Sequence, residues 1–161
     1  MANELQFTID GTTTTVISHA ASLANAGWTY SGLSGCTMND FDNSTDKYPH
    51  LRLVLDMPDT FAAAPTAGGY VNVHMLILNS DGTSDDIPAP DATALKAAKW
   101  ICAIPIQAYD VAQRVTVIVH DVLGGVTGAQ FFIENKCGQA ISYSSGATTL
   151  KATSFTYNPA A

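Results

Sequence analysis

Three segments of the chain alternate apolar and polar residues with a period of two, and this pattern restricts the fold more than any other. They are LRLVLDM at 51–57, YVNVHMLIL at 70–78 and RVTVIVHDV at 114–122. Successive side chains of a β-strand point to opposite faces of the sheet, so each segment is predicted to be a strand with one face in a core. In the second segment, the side chains predicted to share a face are Val71, Val73, Met75 and Ile77.

Further segments add strands to this pattern. LQFTI and TTTTVIS flank Asp10-Gly11, a dipeptide typical of a two-residue hairpin turn. WICAIPIQA is apolar, and Pro105 within it lacks an amide proton, which favours an edge strand or a bulge. AQFFIEN, QAISY and LKATSFTY give three more short extended segments near the C-terminus.

Helical patterns are weak. DATALKAA at 91–98 predicts at most one short helix, with Asp91 as its N-cap. Long connections, at about 20–48 and 79–99, join strands that are distant in the sequence, which favours Greek-key crossovers over an up-and-down meander. The sequence therefore predicts an all-β fold, a single-domain β-sandwich or jelly roll of about eight or nine strands over residues 1–161.

The charge composition excludes several partners. The formal net charge is −7, and only seven Lys and Arg residues are present, whereas binding nucleic acid needs cations that replace counterions.

No apolar run approaches the length of a membrane helix, so no membrane partner is expected. The N-terminal MANELQFTID lacks the basic and apolar regions of a secretory signal, and three cysteines do not suggest a disulfide framework. We therefore expect synthesis in a reducing cytoplasm, where the sequon at Asn43 is not glycosylated.

Two loops are rich in acidic and amide side chains. The first offers Asp40, Asp42, Asn43 and Asp46, and the second offers Asn79, Asp81, Asp85 and Asp86. Neither has the D-x-[DN]-x-[DN]-G spacing of an EF-hand, and Asx turns account for such residues without calcium. The first loop is predicted to be the corner that leads into the strand at 51–57. No metal, cofactor or catalytic residue is predicted.

Other reactive side chains also lack the required spacing. The four histidines do not include an H-x-H or H-x₃-H pair, and no C-x-x-C pair exists. SGLSG and YSSGA resemble the G-x-S-x-G elbow only in composition. The sequence thus gives no positive argument for an enzyme.

Aromatic side chains are candidates for contact with other molecules. Trp28 and Tyr30 lie two residues apart in the long first connection, where they could plug the end of the sandwich, contact a protein, or stack on a glycan. Trp100, in contrast, is predicted to belong to the core.

Several stretches together resemble a known family. DNSTD before a strand, APTAGGYVNVHM and FFIENKCGQAIS are similar to small structural proteins encoded among the head and virion genes of tailed bacteriophages. The resemblance extends from about Leu5 to Tyr157. The chain departs from the family pattern at AQFFIEN, which carries phenylalanines, and at Cys137 in a turn.

The resemblance implies a capsid decoration or cement protein, located on the outer surface of the virion head. It implies binding to the major capsid protein and to further copies of itself, for example as a trimer. The contact residues we predict on this basis are two terminal segments and the loop aromatics: Ala2, Asn3, Glu4, Leu5, Gln6, Phe7, Trp28, Tyr30, Asn158 and Pro159. The two segments, an N-terminal arm at 1–7 and a C-terminal tail at 158–161, are short enough to lie across a neighbour or to extend its sheet.

Three alternatives stay open. The chain could be a tail, fibre or neck component of a virion that touches a host glycan or a collar protein. It could be a free carbohydrate-binding module that depends on Trp28. A cupin-type enzyme is the third alternative, although GGYVNVHML has one histidine where that motif needs two.

Overall fold

The protein is a β-sandwich in the computed structural model, which describes residues 8–59, 61, 63–78, 97–106 and 111–157. The strands are β1 (Thr8–His19), β2 (Cys36–Met38), β3 (Phe41–Asp42), β4 (His50–Met57), β5 (Tyr70–Ile77), β6 (Lys99–Pro105), β7 (Gln113–Val119), β8 (Gly128–Lys136) and β9 (Thr148–Tyr157). They form two antiparallel sheets. One has five strands in the order β2-β1-β9-β4-β7, and the other has four in the order β3-β8-β5-β6. The predicted all-β sandwich is confirmed.

A single apolar layer between the sheets holds them together. β4 alternates strictly, with Leu51, Leu53, Leu55 and Met57 buried and the intervening residues partly exposed. β5 contributes Val71, Val73 and Met75 from the opposite sheet, and Phe131 and Ile133 of β8 complete the layer. Each of these large side chains contributes about 1.5–3 kcal/mol by leaving water, so the burial of alternate residues decides which face of each strand points inward.

The chain crosses repeatedly from one sheet to the other. From β3 onward each connection changes sheet, except the one between β5 and β6, which are neighbours. An up-and-down meander is therefore excluded, as the long connections predicted. The strand orders do not fix the hand of the crossovers, so the jelly-roll topology stays a prediction.

The hairpin predicted at Asp10-Gly11 is wrong. β1 runs through this dipeptide as one strand and pairs with β9 on both sides of it, with a register shift between Asp10 and Thr13. A Cβ on Gly11 would lie 2.6 Å from the Ser154 Oγ and 2.6 Å from the Asp46 Oδ2. The glycine thus permits a close approach in a bulge, and pairing along β9 outweighs the local preference for a turn.

Other predicted elements differ in detail. QAISY does not form a strand; Ile141 makes only an isolated bridge to Leu23. The short strands β2 and β3 lie inside the first long connection and were missed, because three and two residues are too few for a periodic pattern. Ile77 is 43% exposed instead of inward-facing. The helix predicted at 91–98 falls largely outside the described residues, as does the second acidic loop.

The first acidic loop is the corner that was predicted. Asp42 Oδ1 accepts a hydrogen bond from the amide of Ser44, which is an Asx turn. Asn43 is buried, and its Nδ2 donates to the carbonyls of Tyr48 and Val126. The corner therefore fixes the start of β4, and the sequon asparagine points into the protein.

The segment from Leu23 to Thr29 runs along β8 and is held there by Asn135. This asparagine is fully buried, and its Nδ2 lies within hydrogen-bonding distance of the carbonyls of Leu23, Ala24 and Gln139. Backbone bonds add to this anchor, since Thr29 N donates to Ile133 O and Asn135 N donates to Gly27 O.

We expect Asn135→Ala to destabilise the fold by about 1–3 kcal/mol, because the buried amide of Cys137 loses its acceptor, Asn135 Oδ1, and the carbonyl of Gln139 loses its bond from Nδ2. The matched control is Asn39→Ala, which removes one exposed bond to Thr15 O and should change stability by less than about 0.5 kcal/mol. Urea unfolding monitored by tryptophan fluorescence measures both variants. Equal stability losses in the two variants would contradict the assignment of Asn135 as the anchor.

Candidate functional site

The outer face of the four-stranded sheet carries a connected group of polar and aromatic side chains, which we term the Glu134 cluster. Its members are Trp28, Asn72, His74, Trp100, Glu134 and Lys136. The strand register places them together, because Glu134 of β8 is opposite Asn72 of β5, and His74 of β5 is opposite Trp100 of β6. Trp28 forms an isolated bridge with Glu134 from the other side of β8.

A chain of hydrogen bonds runs through this cluster from the surface to a buried carboxylate. The Trp100 indole Nε1 donates to Asn72 Oδ1 at 3.0 Å, and Asn72 Nδ2 donates to Glu134 Oε2 at 2.8 Å. Lys136 Nζ lies 2.7 Å from Glu134 Oε1. Each carboxylate oxygen therefore has a donor, as a buried charge requires.

His74 packs on Trp28 and is paired with Trp100 in the strand register. Its ring centroid is 4.4 Å from that of Trp28, and its Nε2 is 3.7 Å from Glu134 Oε2 without a hydrogen-bond partner in the described residues. Burial lowers the pKa of His74 below its usual 6.5, and the nearby Glu134 carboxylate opposes this only in part. The imidazole is therefore held in its neutral form at neutral pH.

The cluster suits binding better than proton transfer. Burial acts most strongly on Glu134 and would raise its pKa, but the bonds from Lys136 and Asn72, with the positive charge of Lys136, together lower it. The same contact raises the pKa of Lys136. A carboxylate that is stabilised in its ionised form is a poor general acid, and glycoside hydrolysis by the common mechanisms requires a second carboxyl group beside the first.

The predicted aromatic pair is only partly brought together. Trp28 is half-buried and packs on His74, while Tyr30 lies at the next turn, where its carbonyl accepts from Leu33 N. No ring contact joins Trp28 to Tyr30 among the described residues. The buried Thr29 between them accepts from Ile133 N through its hydroxyl. The predicted contact residues in the arm at 1–7 and the tail at 158–161 lie outside the described residues.

The prediction that Trp100 belongs to the core is wrong. Its side chain is 57% exposed, the most exposed large apolar residue in the described part of the chain. A register shift between Val73 and His74 leaves Ile101 as an extra residue in β6, so Cys102 points inward while Trp100 points outward. Pro105 in the same segment predicted an edge strand or a bulge, and this prediction is confirmed. It did not predict that the bulge lies at Ile101.

A second surface is the outer face of the five-stranded sheet. Two cross-strand ion pairs lie on it, Arg52 with Asp10 at 2.7 Å and Arg114 with Asp56. At one end an aromatic group surrounds the fully buried Phe155 with the rings of His50, His120 and Tyr157, and Arg52 lies 5.3 Å from the Phe155 ring centroid. These rings thus cover Phe155 at this end of the sheet.

Residues with potential chemistry elsewhere have structural partners. Ser144 and Ser145, the serines of YSSGA, both donate to the carboxylate of Asp59, and their bonds strongly lower its pKa. Burial raises the pKa of Cys102 and of Cys137 to about 11, which keeps both thiols protonated.

No group of three or more His, Cys, Asp or Glu residues is arranged to hold a metal ion in the described ranges. No described helix has the length and hydrophobicity needed to cross a membrane.

Neither the comparison with protein-family models nor the comparison with curated proteins found a match for this chain.

We expect the stability of the fold to decrease as the pH falls below about 6.5. Burial lowers the folded-state pKa values of His74 and His19, so the unfolded chain binds more protons than the folded chain in this range. Their contribution is complete above pH 6.5 and is lost as the pH falls through the folded pKa values. His74→Gln should reduce this slope by up to about 1.4 kcal/mol per pH unit.

Urea unfolding between pH 5 and pH 8 measures the slope, and NMR titration measures the imidazole pKa directly. A His74 pKa at or above 6.5 in the folded protein would contradict this account.

Proposed function

We propose that the chain is a non-enzymatic virion structural protein of a tailed bacteriophage. In this role it decorates the outside of the head shell as a cement protein, binds the major capsid protein and copies of itself, and bridges neighbouring capsomers. The resemblance of DNSTD, APTAGGYVNVHM and FFIENKCGQAIS to head and virion proteins supports the proposal. The sandwich fold is compatible with it.

The observation that carries the proposal is the composition of the outer face of the five-stranded sheet. In a chain of net charge −7, its strands present three cations, Arg52, Arg114 and Lys151, and two carboxylates, Asp10 and Asp56, which are both paired with arginine. Threonines occupy many of the remaining outward positions. Burying such a face against protein leaves few charges uncompensated.

An exposed apolar residue lies on the same face, on the edge strand β7. Ile118 of β7 is 47% exposed and pairs with Arg52 of β4. A partner that covers Ile118 removes apolar surface from water. Arg52 beside it stays paired with Asp10.

The position of the chain ends favours the proposed arm and tail contacts. Thr8 at the start of β1 pairs with Tyr157 at the end of β9. Thr8 and Tyr157, the described residues next to the proposed arm and tail, therefore lie together at one end of the five-stranded sheet. A neighbour in a shell could be held by both segments at once, which multiplies weak contacts.

The energetic role follows from mass action. A protein that binds the assembled shell and not its dissociated subunits shifts the equilibrium towards the shell. This role needs no catalytic group and depends on many equivalent contacts.

The principal alternative is a tail, fibre or neck location in the virion. Cryo-electron microscopy of purified particles distinguishes the two, because a decoration protein gives repeated density over the whole head. Density confined to the tail or neck, or absence of the protein from particles, would rule out head decoration.

We expect Ile118→Glu to weaken binding to expanded heads that lack the protein by about tenfold or more, because it replaces an exposed apolar side chain of the contact face with a carboxylate that must lose water on binding. Ile77→Glu is the matched control, since Ile77 is similarly exposed at 43% but lies on the other sheet. Its affinity should stay within about twofold of the original chain. Co-sedimentation with heads measures both, and an equal effect of the two variants would contradict the assigned face.

A further inference from the structure

We propose that the outer face of the four-stranded sheet is a binding site for a neutral glycan, with the Trp100 indole as its stacking platform. This site lies on the sheet opposite the proposed shell contact, so a decorated particle would present it outward. The proposal goes beyond head decoration and concerns a different surface of the chain.

The first argument is the exposure of Trp100. A core-forming strand gains nothing from a tryptophan that is 57% exposed, and β6 would bury this residue if its period of two continued from Cys102 and Ile104. The bulge at Ile101 reverses that pattern and turns the indole outward, which is a known use of bulges beside binding sites. The sequence of β6 thus exposes a large aromatic surface.

The second argument is that this exposed ring is held in one orientation. Its Nε1–H bond to Asn72 continues through Glu134 to Lys136, and Glu134 is buried. An indole that is already ordered loses little conformational entropy when a ligand stacks on it. An indole without a role at the surface would not need a hydrogen-bond partner, Asn72, that is itself bonded to a buried carboxylate.

The third argument is a second exposed aromatic residue on the same face. On the same face, Tyr70 of β5 is 39% exposed and lies opposite Pro105, while Asn72 lies opposite the exposed Ala103. From the register of Trp100 to that of Tyr70 is four residues along β5, or about 13 Å. Two exposed aromatic residues therefore flank a floor formed by Asn72 and Ala103, and the distance between them suits a short oligosaccharide.

The charge of this face selects the class of ligand. The Glu134 carboxylate is neutralised by Lys136 within the cluster, so the floor is close to electroneutral in an acidic protein. The net charge of −7 disfavours anionic glycans such as those with carboxylate or sulfate groups. Asn72, Lys136 and the Tyr70 hydroxyl can exchange hydrogen bonds with sugar hydroxyl groups, while the indole packs on the apolar face of a sugar ring.

An array of neutral oligosaccharides probed with the intact protein tests the proposal, followed by titration calorimetry with the best-bound member. Trp100→Ala should weaken binding by at least about tenfold, since truncation of a central tryptophan removes much of the contact. Trp100→Phe keeps a ring but loses the bond to Asn72, so its affinity should lie between that of the original chain and that of Trp100→Ala. Unfolding curves identify any variant that has lost its fold.

A matched pair of tyrosines locates the site. Tyr70→Ala should weaken glycan binding, while Tyr143→Ala removes a tyrosine of similar exposure, 45%, in the loop before β9 and should have no effect. The proposal is overturned if no neutral glycan binds, if anionic glycans or oligoproline peptides bind in their place, or if Trp100→Ala binds as well as the original chain. Ile118→Glu should leave glycan binding unchanged, so failure here is distinguishable from failure of head decoration.

Discussion

The apolar layer between the two sheets is the interaction on which the rest of the structure depends. Its members come from both sheets, including Leu53 of β4, Val73 of β5, Phe131 of β8 and Leu150 of β9. Because the side-chain period of a strand is two, burying one residue of a strand fixes the direction of every other residue until a bulge intervenes. The residues that lie on the outward surfaces are therefore decided by the core.

Bulges are the places where this rule is broken, and they modify the outer surfaces. In β1, a bulge that begins after Asp10 lets one strand continue where a hairpin was predicted, so that Thr8 reaches Tyr157 at the end of the sheet. In β6, the bulge at Ile101 exposes Trp100 beside Asn72. One bulge thus allows Thr8 to pair with Tyr157 beside the proposed shell contact, and the other creates the proposed glycan platform. Both surfaces differ from what strict alternation would give.

Three ion pairs between a cation and a carboxylate lie on the outer faces of the two sheets. On the five-stranded sheet Arg52 and Arg114 each face an aspartate across the strands, and on the four-stranded sheet Lys136 faces Glu134. The two pairs on the five-stranded sheet are partly exposed and contribute little to stability, so their main effect is to leave an outer surface with few unpaired charges. Such surfaces can be covered by protein or by a neutral ligand with little burial of unpaired charge. The charge-poor composition is therefore consistent with both proposed contacts.

The sequence by itself determined the all-β class, the inward faces of β4 and most of β5, the edge position of β6 and the Asx corner at Asp42. These follow from local rules, because periodicity, a missing proline amide and short polar side chains act within a few residues. Only the tertiary structure decided that Asp10-Gly11 lies inside a strand, that Trp100 is exposed, and that Trp28 packs on His74 with Glu134 behind it. Each of these depends on the register between strands that are distant in the sequence. Register is set by the whole buried layer at once, so no local pattern could have revealed it.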